Sequence, residues 1–147
     1  MIERSVELVV QAPVARVYEL WSDFENLSRW MRFVDRVTLD PDRPGYSRWR
    51  FGIDPLFVEW TARITRMIPL RLVAWESVSG LPNRGQIDFF PVDQSCRLKL
   101  TLAVAAPGGV VGAVVEQVGL GRWLDENIRA DLVQFGKLVE ESMSRDL

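Results

Sequence analysis

The stretch Trp21-Ser22-Asp23-Phe24-Glu25-Asn26-Leu27-Ser28-Arg29-Trp30-Met31 decides how this chain folds, because of what stands on either side of it. Ahead of it, Ile2 to Val10 is rich in Val and reads as a strand, closed by Gln11-Ala12-Pro13. From Pro13 onward Val14, Val17, Tyr18 and Trp21 recur at helical spacing, with Leu20 beside them. Pro is tolerated in a first helical turn because its missing N–H would have had no partner there. Inside the stretch, Asp23 is a cap for a second short helix that carries Leu27, Trp30 and Met31.

Behind the stretch the period changes to two. Phe33 to Asp40 reads as a strand, and Asp40-Pro41-Asp42-Arg43-Pro44-Gly45 as a turn. Trp49, Phe51 and Ile53 then share one face and Arg48 and Arg50 the other, up to the turn at Asp54-Pro55. Val58, Trp60, Ala62 and Ile64 alternate with Glu59, Thr61, Arg63 and Thr65. After Ile68-Pro69, Arg71 to Ser77 carries Val73 and Trp75 in phase. A loop is expected over Gly80 to Gly85, followed by a strand led by Ile87 and Phe89. Cys96, Leu98, Leu100, Leu102 and Val104 alternate with Arg97, Lys99 and Thr101. Alternation means one wet and one buried face, and the short gaps between runs predict antiparallel hairpins.

After Pro107-Gly108-Gly109 the spacing becomes helical. Leu124, Ile128, Leu132, Phe135 and Val139 lie on one face, and Asp125, Glu126, Arg129, Asp131 and Lys137 are placed off it. Gly119-Leu120-Gly121 should kink or break this helix, since each Gly weakens it by about 1 kcal/mol relative to Ala. The order is strand, two short helices, a run of strands and one long helix. It predicts a curved sheet wrapped around the last helix, enclosing an apolar cavity.

At 147 residues the chain is read as one domain, residues 1–147. A composition 48% hydrophobic and 26% charged is that of a folded globular chain, not a disordered one. A net charge of −2 gives no reason to expect nucleic acid as a partner. Glu3, Arg4 and Glu7 interrupt any apolar leader, so no signal peptide is expected. The one cysteine, Cys96, can form no internal disulfide and sits in the apolar phase of its strand, which suits a cytoplasmic protein.

The chain has no histidine, which excludes Ser-His and Cys-His nucleophile systems and histidine-bearing zinc sites. It has no glycine-rich phosphate loop, and no cofactor or metal is expected. Sixteen of the eighteen basic residues are arginine, and Arg29, Arg32, Arg36, Arg43, Arg48 and Arg50 cluster in the first third. They form either a surface for an acidic partner or solvated faces paired with Asp35, Asp40 and Asp42.

The order Val9-Val10-Gln11-Ala12-Pro13-Val14-Ala15-Arg16-Val17-Tyr18, then Trp21 to Met31, resembles the opening of polyketide cyclase/dehydrase-like proteins of the START-like, helix-grip (SRPBCC) superfamily. The likeness continues through Glu59-Trp60-Thr61-Ala62-Arg63-Ile64, Val73-Ala74-Trp75-Glu76-Ser77, Gly80 and Gly85 before Phe89, and Ala106-Pro107-Gly108-Gly109. It implies an α+β helix-grip fold, with a seven-stranded antiparallel sheet gripping the C-terminal helix and two short helices after the first strand. Relatives bind sterols, lipids, isoprenoid quinones, polyketides or plant hormones, some cyclise aromatic polyketides, and others work with protein partners or ribosomes. The superfamily has no universal catalytic motif to carry over.

The leading expectation is a binder or carrier of a small lipophilic molecule. Trp49, Phe51, Trp60, Ile64, Trp75, Ile87, Phe89, Leu98, Leu100 and Leu102 would line the sheet side. Leu124, Ile128, Leu132 and Phe135 would line the helix side, and Trp30 and Phe33 the mouth. A cyclase, aromatase or dehydrase is the alternative, with Tyr46, Glu76 and Thr101 as candidates for an inward polar group. A protein- or ribosome-binding module using the arginines is the third, though no partner protein can be named. The Gly-rich apolar segment from Pro107 to Gly121 is suited to open as a gate and to touch a membrane.

Overall fold

The computed structural model describes residues 1–105 and 119–145. Strand β1 (Ile2–Val10) is followed by helix α1 (Val14–Trp21) and a 3-10 helix (Phe24–Arg29). Six strands come next: β2 (Val34–Leu39), β3 (Tyr46–Ile53), β4 (Leu56–Ile68), β5 (Leu72–Gly80), β6 (Asn83–Val92) and β7 (Ser95–Val104). The last element is helix α2 (Leu120–Arg145). The seven strands form one antiparallel sheet in the order β1-β7-β6-β5-β4-β3-β2. The expected helix-grip architecture is therefore present. Register shifts at Val34/Arg36, Thr61/Ala62 and Ile64/Arg66 bend the sheet, because a bulge shortens one strand against its neighbour and raises the local twist.

The strand phases follow the alternation. Leu98 and Leu100 are buried, while Arg97 on the opposite face pairs with Glu7 at 3.3 Å. Cys96 is fully buried, and burial pushes its thiol pKa up, away from a reactive thiolate. Three local expectations change. The second short helix is a 3-10 helix that stops at Arg29, leaving Trp30 and Met31 outside it, and Asp23 makes no side-chain cap. The loop over Gly80–Gly85 shrinks to Leu81 and Pro82, and Gly85 lies inside β6. Gly119 has φ 78° and the described helix begins directly after it, so the glycine pair marks a helix start. The segment assigned as a gate, Pro107 to Gly121, falls outside the described residues from 107 to 118.

Helix α2 seats on the edge strand β1. Its Gly136 is buried there, and a Cβ placed on it would stand 3.3 Å from Leu8 Cδ2 and 3.4 Å from Val10 Cγ2. One end of the interior is filled by rings. Trp30 packs 4.9 Å from Trp21 and 4.6 Å from Phe135, and Trp21 meets Phe135 edge-on at 5.3 Å. Aromatic groups at these separations gain more than their area alone. Around them Val17, Val73, Ile87, Leu98, Leu132 and Val139 are almost completely buried.

Polar ties hold α2 further along. Arg4 Nε donates to Asp125 Oδ2 at 3.2 Å. Asp131 Oδ1 accepts from Arg32 Nε at 3.0 Å and from the Arg32 backbone N–H at 3.4 Å. Arg32 Nη2 donates to Asn127 Oδ1 at 2.6 Å. These bonds fasten the loop after the 3-10 helix to the helix across from it. Asp131 is only 7% exposed, and desolvation lifts its carboxyl pKa despite the opposing pull of Arg32.

Two outcomes follow for stability. Gly136→Val should destabilise by about 1–3 kcal/mol in urea unfolding, because added methyl groups must push Leu8 and Val10 out of a packed seam. Asp131 binds its proton more tightly folded than unfolded, so its contribution is fully present below the ordinary carboxyl value of 3.8 and is lost as pH rises through the raised value. Asp131→Asn removes that term, so its stability relative to the parent should climb with pH across this window and then level off. Parallel pH–stability curves for the two proteins would show that desolvation of Asp131 does not govern its titration.

Candidate functional site

The ring-filled end stops short of the β3–β4 hairpin, and beyond it lies a cavity of about 930 Å³ between the concave sheet face and α2. The register explains its shape. Counting from the hairpin, Phe51 faces Val58, and the next inward row pairs Trp49 with Trp60, their rings stacked 12° from parallel. The following row is small: Ser47 pairs with Ala62, and Ala62 with Ser77. Bulk returns in the row Ile64–Trp75, whose next members are Gly85 and Leu102. The space is a trough of small side chains between two bulky rows.

The wall is overwhelmingly apolar, with a few polar groups. Ser47 is buried and its Oγ accepts from Trp49 Nε1 at 2.8 Å. Asn83 is buried too and donates to the Leu81 carbonyl at 2.8 Å. Asn127 and Asp131 reach the cavity from α2. Leu56, 80% exposed, and Trp123, 40% exposed, both line the cavity and meet solvent, so they mark its opening. Phe33 stands between, 5.5 Å from Trp123 and 6.0 Å from Phe51. Among the described residues no group of three or more His, Cys, Asp or Glu side chains is placed to hold a metal.

Ten of the expected residues line this space. They are Trp49, Phe51, Trp60, Ile64, Trp75, Leu100 and Leu102 from the sheet, Leu124 and Ile128 from α2, and Phe33 at the mouth. The other six, Trp30, Ile87, Phe89, Leu98, Leu132 and Phe135, all belong to the packed core and are absent from the cavity wall. Alternation shows which face a side chain takes but not how far along the strand the packing ends. Tyr46, Glu76 and Thr101 are absent from the wall as well. Glu76 pairs with Arg63 at 2.6 Å on the outer face, Thr101 bonds Ser5 at 2.9 Å there, and Tyr46 lies under the Arg43 guanidinium.

Sequence reasoning missed the wall supplied by Trp21, Phe24, Leu27 and Met31, and the rim residues Leu56 and Trp123. It also set Asp131 on the wrong side. Asp131 lies seven residues after Leu124 and four before Phe135, so helical spacing puts it on the apolar face, and its charge disguised that.

Comparison with known proteins agrees with this geometry. The profile of a family described as "Polyketide cyclase / dehydrase and lipid transport" matches residues 10–130. An uncharacterized 17.2 kDa protein of Streptomyces lincolnensis is 28% identical over 141 residues, covering 95% of this chain and 89% of that one. Among solved structures, a protein from Thermus thermophilus superposes with TM-score 0.78 at 22% identity, over 95% of this chain and 98% of its own. The Zhui aromatase/cyclase from a Streptomyces species gives 0.75 at 21% identity, over 96% of each chain. A START superfamily protein from Mycobacterium smegmatis gives 0.71 at 19% identity, over 95% and 97%. At these identities the structures speak for the fold alone. With the profile spanning most of its length and a helix-grip frame around an apolar cavity, the chain belongs to the polyketide cyclase/dehydrase and lipid transport family.

Proposed function

We propose that the chain binds a small lipophilic molecule in this cavity, of the lipid, isoprenoid quinone or polyketide-like kind, and serves as its binder or carrier. The size of the cavity set against its chemistry carries the reading. The space opens to solvent beside Leu56 and Trp123, so it holds either water or a ligand. Of the two, apolar walls favour a lipophilic ligand, which gains about 25 cal/mol per Å² covered. The family description, which includes lipid transport, supports this.

One observation favours a second reading, a cyclase- or dehydrase-type enzyme. Asp131 puts an ionisable carboxyl into an apolar wall, the kind of group that acid–base chemistry on a bound substrate would require. One structural neighbour is an aromatase/cyclase.

Titration with the neutral apolar fluorophore N-phenyl-1-naphthylamine tests the first reading. Its emission should rise and saturate at one molecule per chain, and the unfolding temperature should climb with its concentration. Native mass spectrometry of protein purified from its own host should show a bound organic molecule. No emission change together with a bare native mass would overturn the reading. A bound molecule released unchanged after incubation favours the carrier, and one that loses water favours the enzyme.

A further inference from the structure

We infer that Gly85 and Trp75 together set the size of ligand the cavity admits, Gly85 acting as the seat on which the Trp75 indole lies. The inference rests on the binding reading above. Gly85 and Trp75 are directly paired across β5 and β6. A Cβ on Gly85 would stand 2.2 Å from Trp75 Cζ2 and 2.5 Å from Trp75 Cε2, and 2.8 Å from Leu102 Cδ2. These distances are far inside van der Waals contact, so the indole occupies the space that any other residue would claim. The ring is flat on the sheet because position 85 has no side chain.

The neighbours leave one way out. Ile64 pairs with Trp75 on its other flank, and Leu102 closes the row beyond Gly85. Along β5, Val73 is fully buried in the packed core. A ring lifted off Gly85 can go only toward the cavity, which Trp75, Ile64 and Leu102 all line. The indole would then stand over the trough of small residues at Ser47 and Ala62. The glycine therefore keeps the deep part of the cavity open, and short ligands that stay near the mouth do not depend on it.

Gly85→Ala, measured by displacement of N-phenyl-1-naphthylamine with decan-1-ol, tetradecan-1-ol and octadecan-1-ol, tests this. Affinity for decan-1-ol should stay within about twofold, while octadecan-1-ol should weaken about tenfold, the order expected for overpacking a fitted site. Adding Trp75→Leu to Gly85→Ala should restore octadecan-1-ol to within about threefold of the parent. An unchanged profile for Gly85→Ala, or a defect that persists in the double variant, would overturn the inference. If Gly85→Ala does not fold, Trp75→Leu alone decides it. That variant deepens the cavity and should tighten octadecan-1-ol relative to decan-1-ol, and an unchanged ratio counts against us. If the parent protein binds no probe at all, the binding reading fails, and a thermal-stability cycle judges the pairing separately. In that cycle the cost of Gly85→Ala should shrink in the Trp75→Leu background to what the Leu102 contact alone imposes, and an equal cost in both backgrounds would overturn it.

Discussion

The seating of α2 on the edge strand β1 is the constraint from which the rest of the molecule follows. A helix can approach a sheet more closely where it offers no side chain of its own, and Gly136 provides that place against the side chains of Leu8 and Val10. Seven strands span more width than one helix of about 10 Å diameter can cover. Among the described residues, a helix drawn to one edge leaves the rest of the concave face to other elements: the 3-10 helix packs on β2, and α1 reaches β6 and β7. The chain solves half of that problem with rings, stacking Trp21, Trp30 and Phe135 under α1. It leaves the other half open, and the cavity is what remains.

How much of this could be read from the residues divides along a physical line. Period-two alternation is a local property, so the inward faces of β3, β4 and β7 were legible from Trp49, Trp60 and Leu98 without any knowledge of their neighbours. Packing depth is not local. Whether Phe89 or Trp75 meets a ligand depends on where α1 and the 3-10 helix come to rest, and those contacts join residues far apart in the chain, as Tyr18 against Phe89 shows at 5.3 Å. The same limit hid Trp21 and Met31 from the wall. Emphasis on bulky residues also concealed positions that matter for volume, since the trough is opened by small residues such as Ser47 and Ala62.

Charge is distributed to match. Arg50 lies near Asp35 and Glu59, Arg63 pairs with Glu76, Arg84 with Glu3 and Arg97 with Glu7. Such exposed pairs are worth little in stability, with a median of about 0–1 kcal/mol. Their effect is to keep the solvent face of the sheet wet and evenly charged. Part of the arginine cluster in the first third is accounted for in this way, and Arg32 is drawn to the cavity mouth instead, where it meets Asp131.

The Arg32–Asp131 pair at the cavity carries a different meaning from the outer ones. A carboxylate moved from water into an apolar wall is destabilised, and removing it would improve burial if stability alone were at stake. Asp131 is kept ionisable there by one flanking guanidinium and by a backbone N–H of the same residue, both reaching one oxygen, Oδ1. The helix thus presents Asp131, with Asn127, on a face that also carries Leu124, Ile128, Leu132 and Phe135. A pocket that only excluded water would have no use for it. A pocket that must orient an apolar molecule bearing one polar end does, because desolvation supplies affinity without direction and a hydrogen bond supplies direction. On the proposed reading of a bound lipophilic molecule, the apolar trough supplies affinity and the Asp131 carboxyl a hydrogen-bond partner for a polar end.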